Sequence, residues 1–251
     1  MTHHQRIPTM TDSLETLLRC GVKVEAVIDV GVLNGTPPLM RVFSHLRHYL
    51  FEPVEFHFDK IKHNYKKIDY ELFNIALSDS EDAAYLVGRS VDGGDTVTHS
   101  HISDEPVTDE QDKSVLVCNE IRKKRLDSVL DEIEIESPYL LKIDVDGHEI
   151  PILNGAERTL ENASIVVIEA PLQKRPLPQL LVRYHHLVER GFVLMDMVDF
   201  AYYGGILWQV DLVFVRQEIA NSIDQLRPFE SESFKFNREL WYPLTPSYFE
   251  K

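Results

Sequence analysis

Cysteine is scarce: the 251-residue chain has two, Cys20 and Cys118, far apart and in no CxxC spacing. That excludes a disulfide scaffold and leaves free or buried thiols in a reducing compartment as the expected state. Apolar runs are short, none approaching the roughly 20 residues that a membrane span needs. The N-terminal stretch MTHHQRIPTMTDSLETLL lacks the apolar centre of a signal peptide. Positive charge is in short supply too. With 26 Lys and Arg against 41 Asp and Glu, the net charge is −15. A general nucleic-acid binder needs clustered cations, and so does attraction to an anionic membrane. The expectation is a cytoplasmic protein with no nucleic-acid partner and no membrane span.

What is present is ample core material. Hydrophobic residues make up 43% of the chain, a length that suits one compact domain. Near-continuous apolar runs, several ending in a carboxylate, are candidate strands: 26–30 (AVIDV), 49–52 (YLFE), 72–77 (LFNIAL), 139–144 (YLLKID) and 165–169 (IVVIE). Such runs suit a parallel sheet covered on both faces. Helix signals lie between them. Thr36-Pro37-Pro38 leads into Leu39, Val42, Phe43 and Leu46 at helical spacing, and Phe58, Ile61 and Tyr65 mark a second helix. Residues 177–190 (LPQLLVRYHHLVER) form a third, stopped by Gly191. The alternation implies an open α/β sheet. Runs 192–198 and 209–215 flank Tyr202-Tyr203-Gly204-Gly205 with no room for a helix, which predicts an antiparallel hairpin at the sheet edge.

Two segments break the rhythm. Residues 88–113 are polar and glycine-bearing, and read as a long loop with His99 and His101 in it. Residues 217–251 turn aromatic (Phe229, Phe234, Phe236, Trp241, Tyr242), so this tail is expected to pack on the body or on a second subunit of a homo-oligomer. Lys123-Lys124-Arg125 reads as a solvated basic face.

The stretch VIDVGVLNG (27–35) brings Asp29 to the end of the first strand, with Gly31 and Gly35 allowing a tight turn into a helix. A carboxylate there repels a pyrophosphate and favours a cationic or hydroxyl-rich ligand, such as the amino group of S-adenosylmethionine. Alone, DxGxxxG also fits an ordinary strand–turn–helix joint. Glu52, 21 residues after Gly31 at the end of the second strand, is placed to accept both hydrogen bonds of a ribose diol.

Together VIDVGVLNG, LFEPVEFHFDKIKHN, NIALSD, RLDSVL, LLKIDVDGHEIPILNGAERTL and QVDLVFVR resemble the FkbM family of class I S-adenosylmethionine-dependent methyltransferases, in the family's order. The resemblance implies a Rossmann-like fold, mostly parallel with an antiparallel C-terminal edge hairpin. The matching stretches cover roughly 24–216, read as the methyltransferase domain, with an N-terminal helical extension over 1–23 before it and the packing tail over 217–251 after it. The resemblance also implies methyl transfer to a hydroxyl of a sugar, glycan precursor or secondary metabolite. Asp29, Gly31 and Gly35 match the cofactor loop, Glu52 the ribose acid, and Ser78 and Asp79 the strand end that borders adenine. The family has Asn two residues beyond the first glycine; Leu33 stands there in this chain, and Asn34 follows as the cofactor-loop candidate.

The DVDGHE stretch carries the expected chemistry. Asp144 caps the fourth strand and is a candidate for cofactor contact and for the reaction. An alcohol needs help to lose its proton, and His148 is the candidate base. Asp144 with Glu169 at the next strand end is a candidate Mg²⁺ pair, whereas Asp146 and Glu149 are expected to shape the helix start. Two rivals stand beside methyl transfer: a non-catalytic S-adenosylmethionine-binding scaffold or sensor, and a metal-dependent hydrolase built on Asp144, Asp146 and His148.

Overall fold

The computed structural model describes residues 8–90, 97, 99–107, 115–172, 178–227 and 235. The chain opens with helix α1 (Met10–Arg19), whose N-cap Thr9 accepts a hydrogen bond from the Asp12 backbone N–H at 3.2 Å. Met10, Leu14 and Leu17 recur on one face and are buried. Strand β1 (Ala26–Val30) follows, then the short helix α2 (Pro37–Val42), strand β2 (Arg47–Phe51), helix α3 (Phe58–Asn64) and strand β3 (Tyr70–Phe73). The expected strand over 72–77 divides here. Its second half, β4 (Ala76–Leu77), joins another sheet with β5 (Ala83–Arg89), β6 (His99–Ser103) and β7 (Val115–Lys124), in the order β4-β7-β5-β6.

This second sheet corrects the reading of 88–113 as a loop. β5 and β6 pair antiparallel from Tyr85↔Ser103 to Arg89↔His99. Within 88–113 the strand residues are only Gly88, Arg89 and His99–Ser103, too short and too polar a set to give an alternating apolar signal. The remainder of that stretch lies outside the described residues. Lys123 is a second correction: it is buried rather than solvated, and its Nζ lies 3.0 Å from Asp82 and 3.7 Å from Asp104.

Helix α4 (Leu126–Leu130) returns the chain to the main sheet through β8 (Tyr139–Ile143), α5 (Glu149–Asn154), α6 (Glu157–Asn162) and β9 (Ala163–Pro171). Helix α7 (Gln179–Val188) then leads to the hairpin of β10 (Phe192–Tyr203) and β11 (Ile206–Arg216), and α8 (Gln217–Ser222) is followed by a single 3-10 turn (Asp224–Leu226). The rest of the expected tail packing falls outside the described residues, as does Leu177, the expected start of α7.

The main sheet runs β3-β2-β1-β8-β9-β11-β10. β11 is antiparallel to both of its neighbours, and the other pairings are parallel. The edge hairpin is therefore as expected. Both β1 and β8 are buried at every position, which is why their sequences show no polar alternation. One face packs on α4 to α7 through Leu126, Leu153, Leu160 and Leu187; the other packs on α1, α2 and α8. The strand order reverses between β1 and β8, so a crevice opens outside their carboxyl ends, the place where open α/β sheets bind ligands.

Candidate functional site

A cleft of about 920 Å³, open mouth included, lies at that reversal. Gly31, Glu52, Asp144 and His148 line it from the main sheet, and Leu86, Ser100 and His101 from the second sheet. His101 thus stands on a cleft-lining strand rather than on a loop. The two walls are tied where the Ser100 backbone N–H donates to Asp146 Oδ2 at 3.2 Å.

Gly31 is demanded by packing as well as by its φ of +81°. A Cβ there would sit 1.8 Å from the carbonyl oxygen of Asp144, so the loop after β1 meets the end of β8 only because the side chain is absent. Leu33 carries φ +54°, a left-handed conformation that Asn tolerates and Leu does not favour, and the side chain is half exposed. The departure in the sequence leaves the turn formed, with Leu33 N–H donating to Glu52 Oε2 at 2.8 Å.

Glu52 also accepts from Val54 N–H on Oε1 at 2.9 Å, so its carboxyl group is held by two backbone amides. Burial raises its pKa to about 7, and the two amide hydrogen bonds only partly offset this. Asn34 does not line the cleft; its backbone carbonyl accepts from Asn64 Nδ2 at 2.7 Å. Gly35 lies behind the cleft wall, against Met40 and Tyr65.

Asp29 is fully buried, and among the described residues no hydrogen bond of good geometry reaches its carboxylate oxygens, although the Thr36 and Tyr65 side chains lie beside it. Desolvation raises its pKa, opposed chiefly by Lys142. Lys142 is the residue that the sequence reading passed over. It faces Asp29 across the β1–β8 register, with Nζ 3.9 Å from Asp29 Oδ1 and 2.9 Å from Asp144 Oδ2. A lone cation inside an otherwise apolar strand, YLLKI, was the signal that could have found it.

Ser78 and Asp79 join His148 rather than standing apart from it. Ser78 Oγ lies 2.9 Å from His148 Nε2 and donates to Asp79 Oδ1 at 3.2 Å. With the Ser78 O–H directed at Asp79, the tautomer that fits is the one in which His148 Nε2–H donates to Ser78 Oγ and the imidazole lone pair sits on Nδ1. Burial lowers the His148 pKa, with Asp79 pulling the other way, which favours the neutral imidazole. Asp146 (φ +39°) and Gly147 (φ +105°) shape the turn, and Glu149 enters the first turn of α5 in a buried ion pair with Arg183 of α7.

The expected Mg²⁺ pair does not fit an ion. Asp144 and Glu169 follow adjacent strands, but Asp144 is bound to the Lys142 ammonium, and Glu169 Oε1 accepts from Gln209 Nε2. Burial raises Glu169 to a pKa of about 8, with Asp144 next in effect, which weakens it as a hard anionic ligand. Among the described residues no three His, Cys, Asp or Glu side chains gather in a metal-binding group. Cys20 and Cys118 are free. No described helix is long and apolar enough to cross a membrane.

The strand order, the reversed β11 and the carboxylates at the ends of β1, β2 and β8 define a class I S-adenosylmethionine-dependent methyltransferase of Rossmann-like fold. The match to the methyltransferase FkbM domain over residues 29–194 takes this one step further. The chain belongs to the FkbM methyltransferase family.

No curated protein matches the chain. Among solved structures it is similar to the O-methyltransferase from Bacillus cereus in complex with S-adenosylhomocysteine, at 12% identity and TM-score 0.45, covering 86% of this chain and 84% of that one. It is also similar to Aeropyrum pernix fibrillarin with natively bound S-adenosylmethionine (11%, TM-score 0.44, 80% and 74%). A third is the magnesium protoporphyrin IX methyltransferase from Synechocystis (10%, TM-score 0.43, 82% and 77%).

Proposed function

We propose that this protein is an O-methyltransferase, moving the methyl group of S-adenosylmethionine to a hydroxyl of a sugar, a glycan precursor or a secondary metabolite. The observation that carries the reading is the convergence of Glu52, Asp144 and His148 on one cleft at the strand-order reversal, with Asp29 sealed behind it.

The bound cofactor supplies an electrophilic methyl group on a sulfonium. Glu52 keeps a lone pair free on each oxygen after accepting Leu33 and Val54, enough for the two hydroxyls of a ribose. Asp29 and Asp144 against one Lys142 leave a net negative charge at the crevice, which complements a cationic ligand. Ser78 and Asp79 support His148, and the cleft wall beside them, where the resemblance puts adenine, is made by Ile75, Ala76 and Leu77, while Asn34 and Gly35 set the shape of the loop. Methyl transfer is an in-line displacement, so most of the protein's task is alignment. His148, neutral and oriented by Ser78, takes the acceptor's hydroxyl proton as the oxygen–carbon bond forms.

Calorimetry with S-adenosylmethionine and S-adenosylhomocysteine, followed by transfer of labelled methyl to a panel of hydroxyl acceptors, tests the reading. Binding and an O-methylated product are expected. Absence of binding to both ligands overturns it. Binding without transfer to any hydroxyl acceptor points to a scaffold or sensor instead.

A further inference from the structure

Strand β8 reads YLLKI, and all five residues are buried. Lys142 is only 5% exposed, in a layer where an isolated ammonium is costly. Its position explains how it survives there. Residues two apart on a strand share a face, so the lysine stem runs up β8 toward Asp144 just beyond the strand end. The ammonium meets Asp144 Oδ2 at 2.9 Å and faces Asp29 Oδ1 at 3.9 Å on the neighbouring strand. Asp211 of β11 adds negative potential from the far side.

The two acids depend on it unequally. The Asp144 side chain is 39% exposed and lines the cleft, whereas that of Asp29 has no exposed surface. Neither oxygen of Asp29 has a hydrogen bond of good geometry among the described residues, and the Thr36 and Tyr65 side chains beside it favour its charge less than Lys142 does. A sealed carboxylate so weakly supported by hydrogen bonds needs a nearby opposite charge to stay ionised, and Lys142 is the cation in salt-bridge range. Burial alone would depress the lysine's own pKa. Asp144 and Asp29 outweigh that and hold it charged, which rules it out as a proton acceptor.

We propose that Lys142 is a positioning residue, whose single ammonium, bonded to Asp144 and facing Asp29, holds both carboxylates at the edge where the cationic cofactor binds. The inference rests on the S-adenosylmethionine reading above, and it adds a residue that acts on the cofactor only through its two acidic partners.

The test compares Lys142→Met, which keeps the shape and loses the charge, with Lys142→Arg, which keeps the charge in a larger group. The readout is the dissociation constant of S-adenosylhomocysteine by calorimetry. At least a tenfold loss is expected for Lys142→Met, with most of the affinity retained in Lys142→Arg. A lysine that merely fills space gives the reverse order, and that result overturns the proposal. Unchanged affinity in Lys142→Met overturns it equally. If Lys142→Met does not fold, Lys142→Met/Asp144→Asn removes the unmatched charge on Asp144. That double variant is expected to bind more weakly than Asp144→Asn alone, because Asp29 has lost its counter-charge; equal affinity sinks the proposal. Wild-type protein that binds neither S-adenosylmethionine nor its demethylated product instead refutes the cofactor reading itself, so the two failures are distinguishable.

Discussion

Arg183 and Glu149 meet as one cation and one anion, both sealed from solvent, and they tie α7 to the first turn of α5. Lys142, a few residues away in sequence from that glutamate, is shared between two carboxylates, one of them open to the cleft. The first cluster is closed and balanced, whereas the second is short of positive charge. A balanced buried pair is a structural joint: losing one partner strands the other charge, and nothing about the pair invites a ligand. An unbalanced cluster at a sheet's carboxyl edge is an incomplete electrostatic arrangement, and a cationic ligand completes it. Proximity in sequence therefore says little about role: Asp144 and Glu149 belong to one six-residue motif but to different clusters.

The sharpest way to break this contrast is at the closed pair. Arg183→Leu should cost about 3–5 kcal/mol of stability, the range for stranding a buried partner, read as a fall in denaturant midpoint. Adding Glu149→Leu should recover most of it, and a double variant no more stable than the single one removes the pair from the explanation. On the open side the effects should fall on function. His148→Ala should lower turnover by about 10²–10⁴-fold, the usual worth of general base catalysis, with S-adenosylhomocysteine affinity unchanged. Surviving turnover would place the base elsewhere.

Glu52 gives a pH signature to the open side. Its pKa is raised by burial from 4.5 to about 7, so folding favours the protonated acid. The stabilisation is fully present below the unfolded value and is lost as pH rises through about 7. The swing is on the order of 3 kcal/mol for a shift of this size. Glu52→Gln cannot ionise, so the apoprotein's stability should vary less across that window. Asp211, raised to about 7 by burial and Asp144, and Glu169, raised to about 8 by burial and Asp144, account for slope that remains. An unaltered stability–pH curve in Glu52→Gln contradicts the assignment. The smallest expected effect is at the loop: Leu33→Asn should gain up to about 1 kcal/mol by relieving the left-handed backbone. A loss there would mean that the leucine side chain contributes more by packing in the cleft than its φ costs.

Much of this was legible in the sequence because it is local chemistry. The apolar runs of β1, β8 and β9 are buried on both faces and so read plainly as parallel strands. Gly204-Gly205 between two strand runs marked the edge hairpin. Asp29, Glu52 and Asp144 each stand at or just past a strand end, which sequence order alone can place. Weak signals failed where burial is partial. The strands β5, β6 and β7 are mixed in polarity and carry no clean period, and the burial of Lys123 comes from Asp82 and Asp104, which its neighbours in sequence do not announce.

The rest waited on the tertiary structure because it depends on register. Lys142 meets Asp29 only because β1 and β8, far apart in the chain, lie side by side with these two residues in step. Ser78 reaches His148 across 70 positions, and Glu149 turns away from the cleft because α7 brings Arg183 to it. By itself the sequence determined the strand–helix alternation, the glycine loop and the row of strand-end acids, since each follows from residues close to one another. The structure alone decided which acid shares a cation, which is sealed, and which faces the cleft. Coulomb interaction and desolvation depend on distance and burial in space, and neither is written in the spacing of residues along a chain.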